Sequence, residues 1–134
     1  MKTTEHTERT ERIEDPITAK IIGCAIEVHR QLGPGLLEST YEQCLAYELH
    51  LAKLSFKGQQ PIPIRYKNIY LDCGYRVDLL VEDSIVVELK AVQDFTPIHQ
   101  AQILTYMKLA KAPVGLLINF NVKILKNGVR RFAL

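Results

Sequence analysis

The segment YRVDLLVEDSIVVELKA, residues 75–91, consists of two apolar runs carrying three charges, Asp78, Glu88 and Lys90, where a buried strand would hold valine. Both runs are short and rich in β-branched residues, so they read as a hairpin around Glu82-Asp83-Ser84. With Asp83 at the apex, Asp78 falls opposite Glu88 and Arg76 opposite Lys90, and the side chains sort by face. One face holds Val77, Leu79, Val81, Ile85, Val87 and Leu89; the other holds Arg76, Asp78, Leu80, Val86, Glu88 and Lys90. Two carboxylates facing each other across antiparallel strands have Cβ atoms ~5 Å apart and destabilise the pair unless a cation sits between them. A divalent metal between Asp78 and Glu88, with Lys90 placed to meet a bound anion or orient a water, suits phosphodiester hydrolysis. An amphipathic hairpin with a solvated polar face and a cross-strand salt bridge gives the same alternation. Against that, a helix and another apolar strand follow Lys90, which argues that the second run lies inside a sheet.

The rest of the chain frames this hairpin. Asp15-Pro16 is an N-cap and first-turn pair, and Ile17, Ile21, Ala25, Val28 and Leu32 recur at helical spacing until Gly33-Pro34-Gly35. A second helix begins near Leu36, carries Leu37, Tyr41, Cys44, Leu45, Leu49 and Ala52 on one face, and ends before Gly58. From Pro61 the pattern becomes three strands, PIPIRY, IYLDCGYRVDLLV and SIVVELKA. Thr96-Pro97 caps a helix with Ile98, Ala101 and Leu104 on its apolar face out to Leu109, and VGLLINF from Val114 is a buried strand. Asn127-Gly128 between ILK and VRRFAL signals a type I′ hairpin. The order helix, helix, three strands, helix, strand indicates one α/β domain with a mixed sheet over residues 15–134, preceded by a polar tail, 1–14.

At 134 residues the chain has 47% hydrophobic and 24% charged residues and a formal charge of +2, too mild to require a polyanionic partner. The tail has no apolar core, so it is neither a signal peptide nor a membrane anchor. Cys24, Cys44 and Cys73 are odd in number and widely spaced, which excludes a disulfide framework and a C-x-x-C zinc site; they read as small buried hydrophobes in a reducing cytoplasm.

Asp78, nine intervening residues and Glu88-Leu89-Lys90 resemble the D…(D/E)-x-K signature of the PD-(D/E)XK nuclease superfamily, although Val77 stands where the usual Pro would be. The resemblance implies a restriction-endonuclease-like core of helix, three strands, helix and strand over residues 37–120, with an extra N-terminal helix and a C-terminal hairpin strand. Gly35-Leu36-Leu37-Glu38-Ser39-Thr40-Tyr41 is similar to the G-x-x-E-x-x-Y motif of a family of small bacterial proteins in that superfamily, and EVHRQLGPGLLEST and LLINFNV look like that family too. Gln102-Ile103-Leu104-Thr105-Tyr106 resembles the Q-x-x-x-Y motif of RecB-like members.

By resemblance, Glu38 is a third carboxylate, and Asp78, Glu88, Glu38 and the Leu89 carbonyl hold Mg²⁺ or Mn²⁺, hard oxygen donors favouring these ions over zinc. An acid in a first helical turn can equally serve only the helix dipole. Glu42, one turn later, is a substitute. Gln102 and Tyr106 share a helix face and can act together on a phosphate or on the carboxylates, or be a polar pair at the edge of a core helix. Tyr41 can bond the cluster or pack; His29 is at most a weak outer partner, and His99 is structural. Lys123, Lys126, Arg130 and Arg131 gather near the C-terminal hairpin, as a nucleic-acid contact or a solubility feature. The function implied is a metal-dependent nuclease acting on nucleic acid, DNA ahead of RNA, with no membrane contact and with a homodimer or a protein partner left open. Two rivals are a catalytically silent nucleic-acid-binding or protein-interaction module that keeps the fold, and a scaffold that binds metal for stability.

Overall fold

Asp15 opens helix α1 (Pro16–Leu32) as expected: its carboxylate accepts the Thr18 N–H, and Pro16 fills the first turn. The structure is a computed structural model that describes residues 15–134; the stretch 1–14, read above as a tail, lies outside the described residues. Arg131, near the other end of the chain, reaches the same carboxylate at 2.8 Å. Burial pushes the Asp15 carboxyl up, but its bonds from Thr18 and Arg131 outweigh that and hold it below the usual range. Arg131 is therefore a buried tie between the first helix and the last strand, not part of a basic surface.

Helix α2 (Glu38–Leu51) is shorter than the periodicity suggested, starting after Leu37. Then come β1 (Phe56–Pro61), β2 (Ile64–Tyr66), β3 (Ile69–Leu71), β4 (Arg76–Val81) and β5 (Ile85–Lys90), followed by α3 (Pro97–Ala110), β6 (Val114–Asn119) and β7 (Val129–Ala133). The main sheet has the order β1-β4-β5-β6-β7; β5 and β6 are parallel and every other pair is antiparallel. β5 thus lies inside the sheet, and its near-continuous apolar run is what a strand covered on both faces requires.

The first core strand differs from the expected one. FKGQQP, polar and glycine-containing, forms β1 because an edge strand has one neighbour and a mostly exposed row of side chains. PIPIRY instead contributes β2 to a separate two-stranded ribbon with β3.

Two buried clusters flank the sheet. Ile21, Ala25, Tyr41, Leu45 and Leu49 from α1 and α2 pack on Leu79, Val81, Val87 and Leu89, whereas Ile103, Tyr106 and Met107 of α3 pack with Leu80, Val86, Leu117 and Phe132. Ile98 and Ala101 are exposed, so the buried stripe of α3 sits further along the helix than the spacing implied. The α/β class, the mixed sheet and the restriction-endonuclease-like element order are as expected.

The C-terminal hairpin takes another form. Leu125–Gly128 is a 3₁₀ turn, and β7 pairs with β6 rather than with the ILK segment. Gly128 is required for a different reason: a Cβ there would collide with the Asn119 carbonyl oxygen and crowd Val122 Cγ2 at 3.1 Å. Gly128→Ala is accordingly expected to lower stability by about 2 kcal/mol, read as a lower urea midpoint. A midpoint equal to the parent's would mean the loop relaxes freely.

Candidate active site

The β4–β5 hairpin has the register anticipated, with Leu79 opposite Val87, Leu80 opposite Val86 and Val81 opposite Ile85. Beyond Leu79 the ladder gives way to side chains. The Asp78 N–H donates to Glu88 Oε2 at 2.7 Å, and the Leu89 N–H donates to Asp78 Oδ2 at 2.9 Å. Each carboxylate therefore occupies the backbone position that a strand carbonyl would otherwise fill, and the two acids meet across the gap. The N–H and C=O of one strand residue point the same way, so the Leu89 carbonyl faces this gap too. Because the ladder ends before it, Arg76 does not pair with Lys90.

The face assignment fails at one residue. Val77 packs with Ile62, Leu80 and Ile103 on the α3 side, not with Leu79 and Val81. The strand turns over between Val77 and Leu79, and Asp78 sits at that twist. On its other side β1 also breaks pairing: the partners run Gly58↔Leu79 and Gln60↔Val77, leaving Gln59 unpaired opposite Asp78. Gln59 adopts φ +49°, a left-handed conformation that side chains rarely take. Its amide donates to Glu42 Oε1 at 2.8 Å and to Asp78 Oδ1 at 3.3 Å. Gln59 and Glu42 thus belong to the site. No spacing in FKGQQP pointed to the glutamine, which acts through a kink in an edge strand.

Glu38 approaches from the start of α2, where its Oε2 accepts the Ala91 N–H at 3.2 Å, one residue past Lys90. Its charge reaches Asp78, but the carboxylate stands beside the Asp78–Glu88 pair and is solvent-exposed. The turn that delivers it is built by the rest of the G-x-x-E-x-x-Y segment. Gly35 takes φ +100°, and the fully buried Tyr41 donates its hydroxyl to the Gly33 carbonyl at 2.6 Å while accepting the Leu36 N–H at 3.1 Å. Tyr41 also stacks on Phe120, centroids 4.4 Å apart. It positions the loop and does not touch the acids.

On α3, Gln102 Nε2 donates to the Tyr106 hydroxyl at 3.2 Å, so the two act as a unit. Burial raises the Tyr106 hydroxyl's pKa, and the charge of Glu88 raises it further, which brings this pair within the field of the acids. His29 and His99 do not join them: His29 Nε2 lies 2.7 Å from the Val122 carbonyl, and His99 Nδ1 accepts the Thr96 N–H at the cap of α3. Cys24 and Cys44 are partly buried, whereas Cys73 is exposed, unlike the buried hydrophobe expected. Arg130 lies over the Phe95 ring at 5.7 Å.

The electrostatics of the pair are its main chemical property. Burial, and then the neighbouring Asp78, push the Glu88 carboxyl up to about 8, with Lys90 only partly offsetting them. Burial also raises Asp78 and, with Asp78 beside it, Glu42. Among the described residues no three His, Cys, Asp or Glu side chains form a ready-made metal cage. A buried carboxylate, a half-buried one and a carbonyl are all hard oxygen donors, and they are short of positive charge. That set fits an ion such as Mg²⁺, which keeps several waters and takes one or two carboxylates.

A five-stranded mixed sheet between two helices and one, with two acids facing across its central hairpin, defines a restriction-endonuclease-like domain. The family model of the PD-(D/E)XK nuclease superfamily matches residues 15–132, and the chain belongs to that superfamily. No curated protein and no solved structure matches it. No helix among the described residues is long and apolar enough to cross a membrane.

Proposed function

We propose that this protein is a divalent-metal-dependent nuclease of the G-x-x-E-x-x-Y kind, cutting phosphodiester bonds in nucleic acid, DNA ahead of RNA. The observation that carries it is the pair of half-buried Asp78 and buried Glu88, joined across the hairpin with too little positive charge nearby. Keeping two acids together at a core position costs stability, and a bound cation removes that cost.

Asp78, Glu88 and the Leu89 carbonyl would hold Mg²⁺ or Mn²⁺, with Glu38 reaching it through a water or by a short swing. When bound, the ion supplies Lewis acidity toward the phosphate and lowers the pKa of water. Lys90 orients the attacking water and balances charge on the phosphate. Gln102 and Tyr106 hold a non-bridging phosphate oxygen by their N–H and O–H. Gln59 fixes the Asp78 rotamer through its amide. The three free cysteines agree with a reducing cytoplasm.

Purified protein incubated with single-stranded DNA, duplex DNA, branched DNA and RNA is expected to cut at least one of them with Mg²⁺ or Mn²⁺, and none with excess chelator. A folded protein that cuts none in either metal would assign the chain to the silent binding modules.

A further inference from the structure

The two-residue turn Lys67-Asn68 joins β2 and β3 into a ribbon that lies outside both buried clusters, yet it carries much apolar surface. Tyr66 is 58% exposed, Ile69 53% and Tyr70 69%. Each tyrosine has a cation over its ring. The Arg65 guanidinium lies 5.6 Å from the centroid of Tyr70, its cross-strand partner, and Lys67 Nζ lies 5.4 Å from that of Tyr66. Flat aromatic surface alternating with positive charge matches a single-stranded polynucleotide, whose bases stack on rings while its phosphates meet cations. A duplex keeps its bases inside and presents the rings with backbone only.

Between this ribbon and α3 runs a groove of about 430 Å³, lined by Ile64, Tyr75, Ile98, Gln102, Thr105 and Tyr106 among others. It accounts for the exposed Ile98, which forms its outer wall. The Tyr75 ring lies 6.3 Å from that of Tyr106, so the groove leads to the pair that senses Glu88. Tyr75 precedes Asp78 by three residues, ~10 Å of extended chain. A stacked strand advances ~3.4 Å per nucleotide, which puts the groove a few nucleotides from a phosphate held at the acids.

Tyr66 shares the ribbon face of Ile64, which lines the groove, whereas Arg65 and Tyr70 pair on the opposite face. We infer that the Tyr66 face of the β2–β3 ribbon and this groove form a stacking platform for single-stranded polynucleotide, with Tyr66 and Tyr75 taking bases and Lys67 taking phosphates. The inference rests on the nuclease reading and gives it a substrate class: single strands, or single-stranded ends and flaps, rather than continuous duplex.

Fluorescence anisotropy with end-labelled oligothymidylate and oligouridylate of about 16 nucleotides, and with a duplex of equal length, tests this in chelator, where nothing is cut. The parent is expected to bind the single strands more tightly than the duplex. Tyr66→Ala and Tyr75→Ala should each weaken single-strand binding about tenfold and leave duplex binding unchanged, while Tyr66→Phe keeps the parental affinity. The two oligomers together show whether DNA or RNA is preferred. Equal affinity for single strand and duplex, or Tyr→Ala variants that bind like the parent, would overturn the platform. So would a parent that sediments as a dimer and a monomeric Tyr66→Ala variant with unaltered polynucleotide binding, since the patch would then serve a second copy. Ring-dependent binding without cleavage in metal sinks the nuclease reading alone, and cleavage without ring dependence sinks the platform alone.

Discussion

Lys90→Ala is expected to slow cleavage about 10³-fold, the scale of losing one positioned charge or proton-transfer group at a reacting centre. Lys90 ends β5 two residues after Glu88, and its charge offsets part of the effect of burial on both acids. Removing it lets protons compete better for the carboxylates but also removes a cation that would repel a metal. These effects oppose each other, so the stabilisation produced by Mg²⁺ or Mn²⁺ should be largely retained while the rate collapses. Single-turnover rates and metal-dependent melting on the same preparation separate the two. A variant with the parental rate would remove Lys90 from the chemistry, and one that loses its metal response would make it part of the ion's binding site.

Metal-free protein should lose stability as pH rises, with Glu88 the main cause. Its carboxyl, ordinarily near 4.5, titrates near 8 in the folded chain because it is buried and faces Asp78. The folded state then binds that proton more tightly than the unfolded state, so the Glu88 contribution is fully present below about 4.5 and is lost as pH passes through the interval up to about 8. At 1.36 kcal/mol per unit, the loss is on the order of 5 kcal/mol. Glu88→Gln keeps the acceptor for the Asp78 N–H and cannot ionise. It should match the parent at low pH, exceed it above pH ~8, and retain only the smaller falls due to Asp78 and Glu42. Urea denaturation across this range in chelator measures it. A parental profile that is flat or rises over the interval would mean that Glu88 ionises freely.

The pairing of Asp78 with Glu88 was legible because side-chain alternation in a short hairpin leaves one register, and the apolar residues around it fix which. Lys90 followed from the same alternation, Glu38 and the Gln102–Tyr106 unit from motif resemblance, and the fold brings each to the same end of the sheet. Val77 was misassigned because alternation assumes an untwisted strand, and the chain turns over at Asp78. Gln59 was invisible for a related reason: its position depends on a left-handed residue in a polar edge strand, which no apolar periodicity marks. Asn127-Gly128 carried a genuine turn signal, but tertiary packing against Asn119 set the backbone there. Arg131 looked like a surface cation because nothing near it in sequence reveals Asp15, at the opposite end of the domain. Local pattern exposed what neighbouring strands determine, and missed what distant contacts and backbone twists determine.

The central claim is that Asp78 and Glu88 form one site for a divalent cation, and melting curves of the parent and Asp78→Asn near pH ~8, at constant ionic strength, with and without Mg²⁺ or Mn²⁺, test it without a substrate. The metal-free variant should melt at or above the parent, since the repulsion is relieved and an amide oxygen can still accept the Leu89 N–H. Added metal should raise the parent by RT ln(1 + [L]/Kd), ~2.7 kcal/mol at a hundredfold excess over Kd, and leave the variant nearly unmoved. A variant that melts well below the parent without metal and responds to metal equally would contradict the paired-carboxylate site.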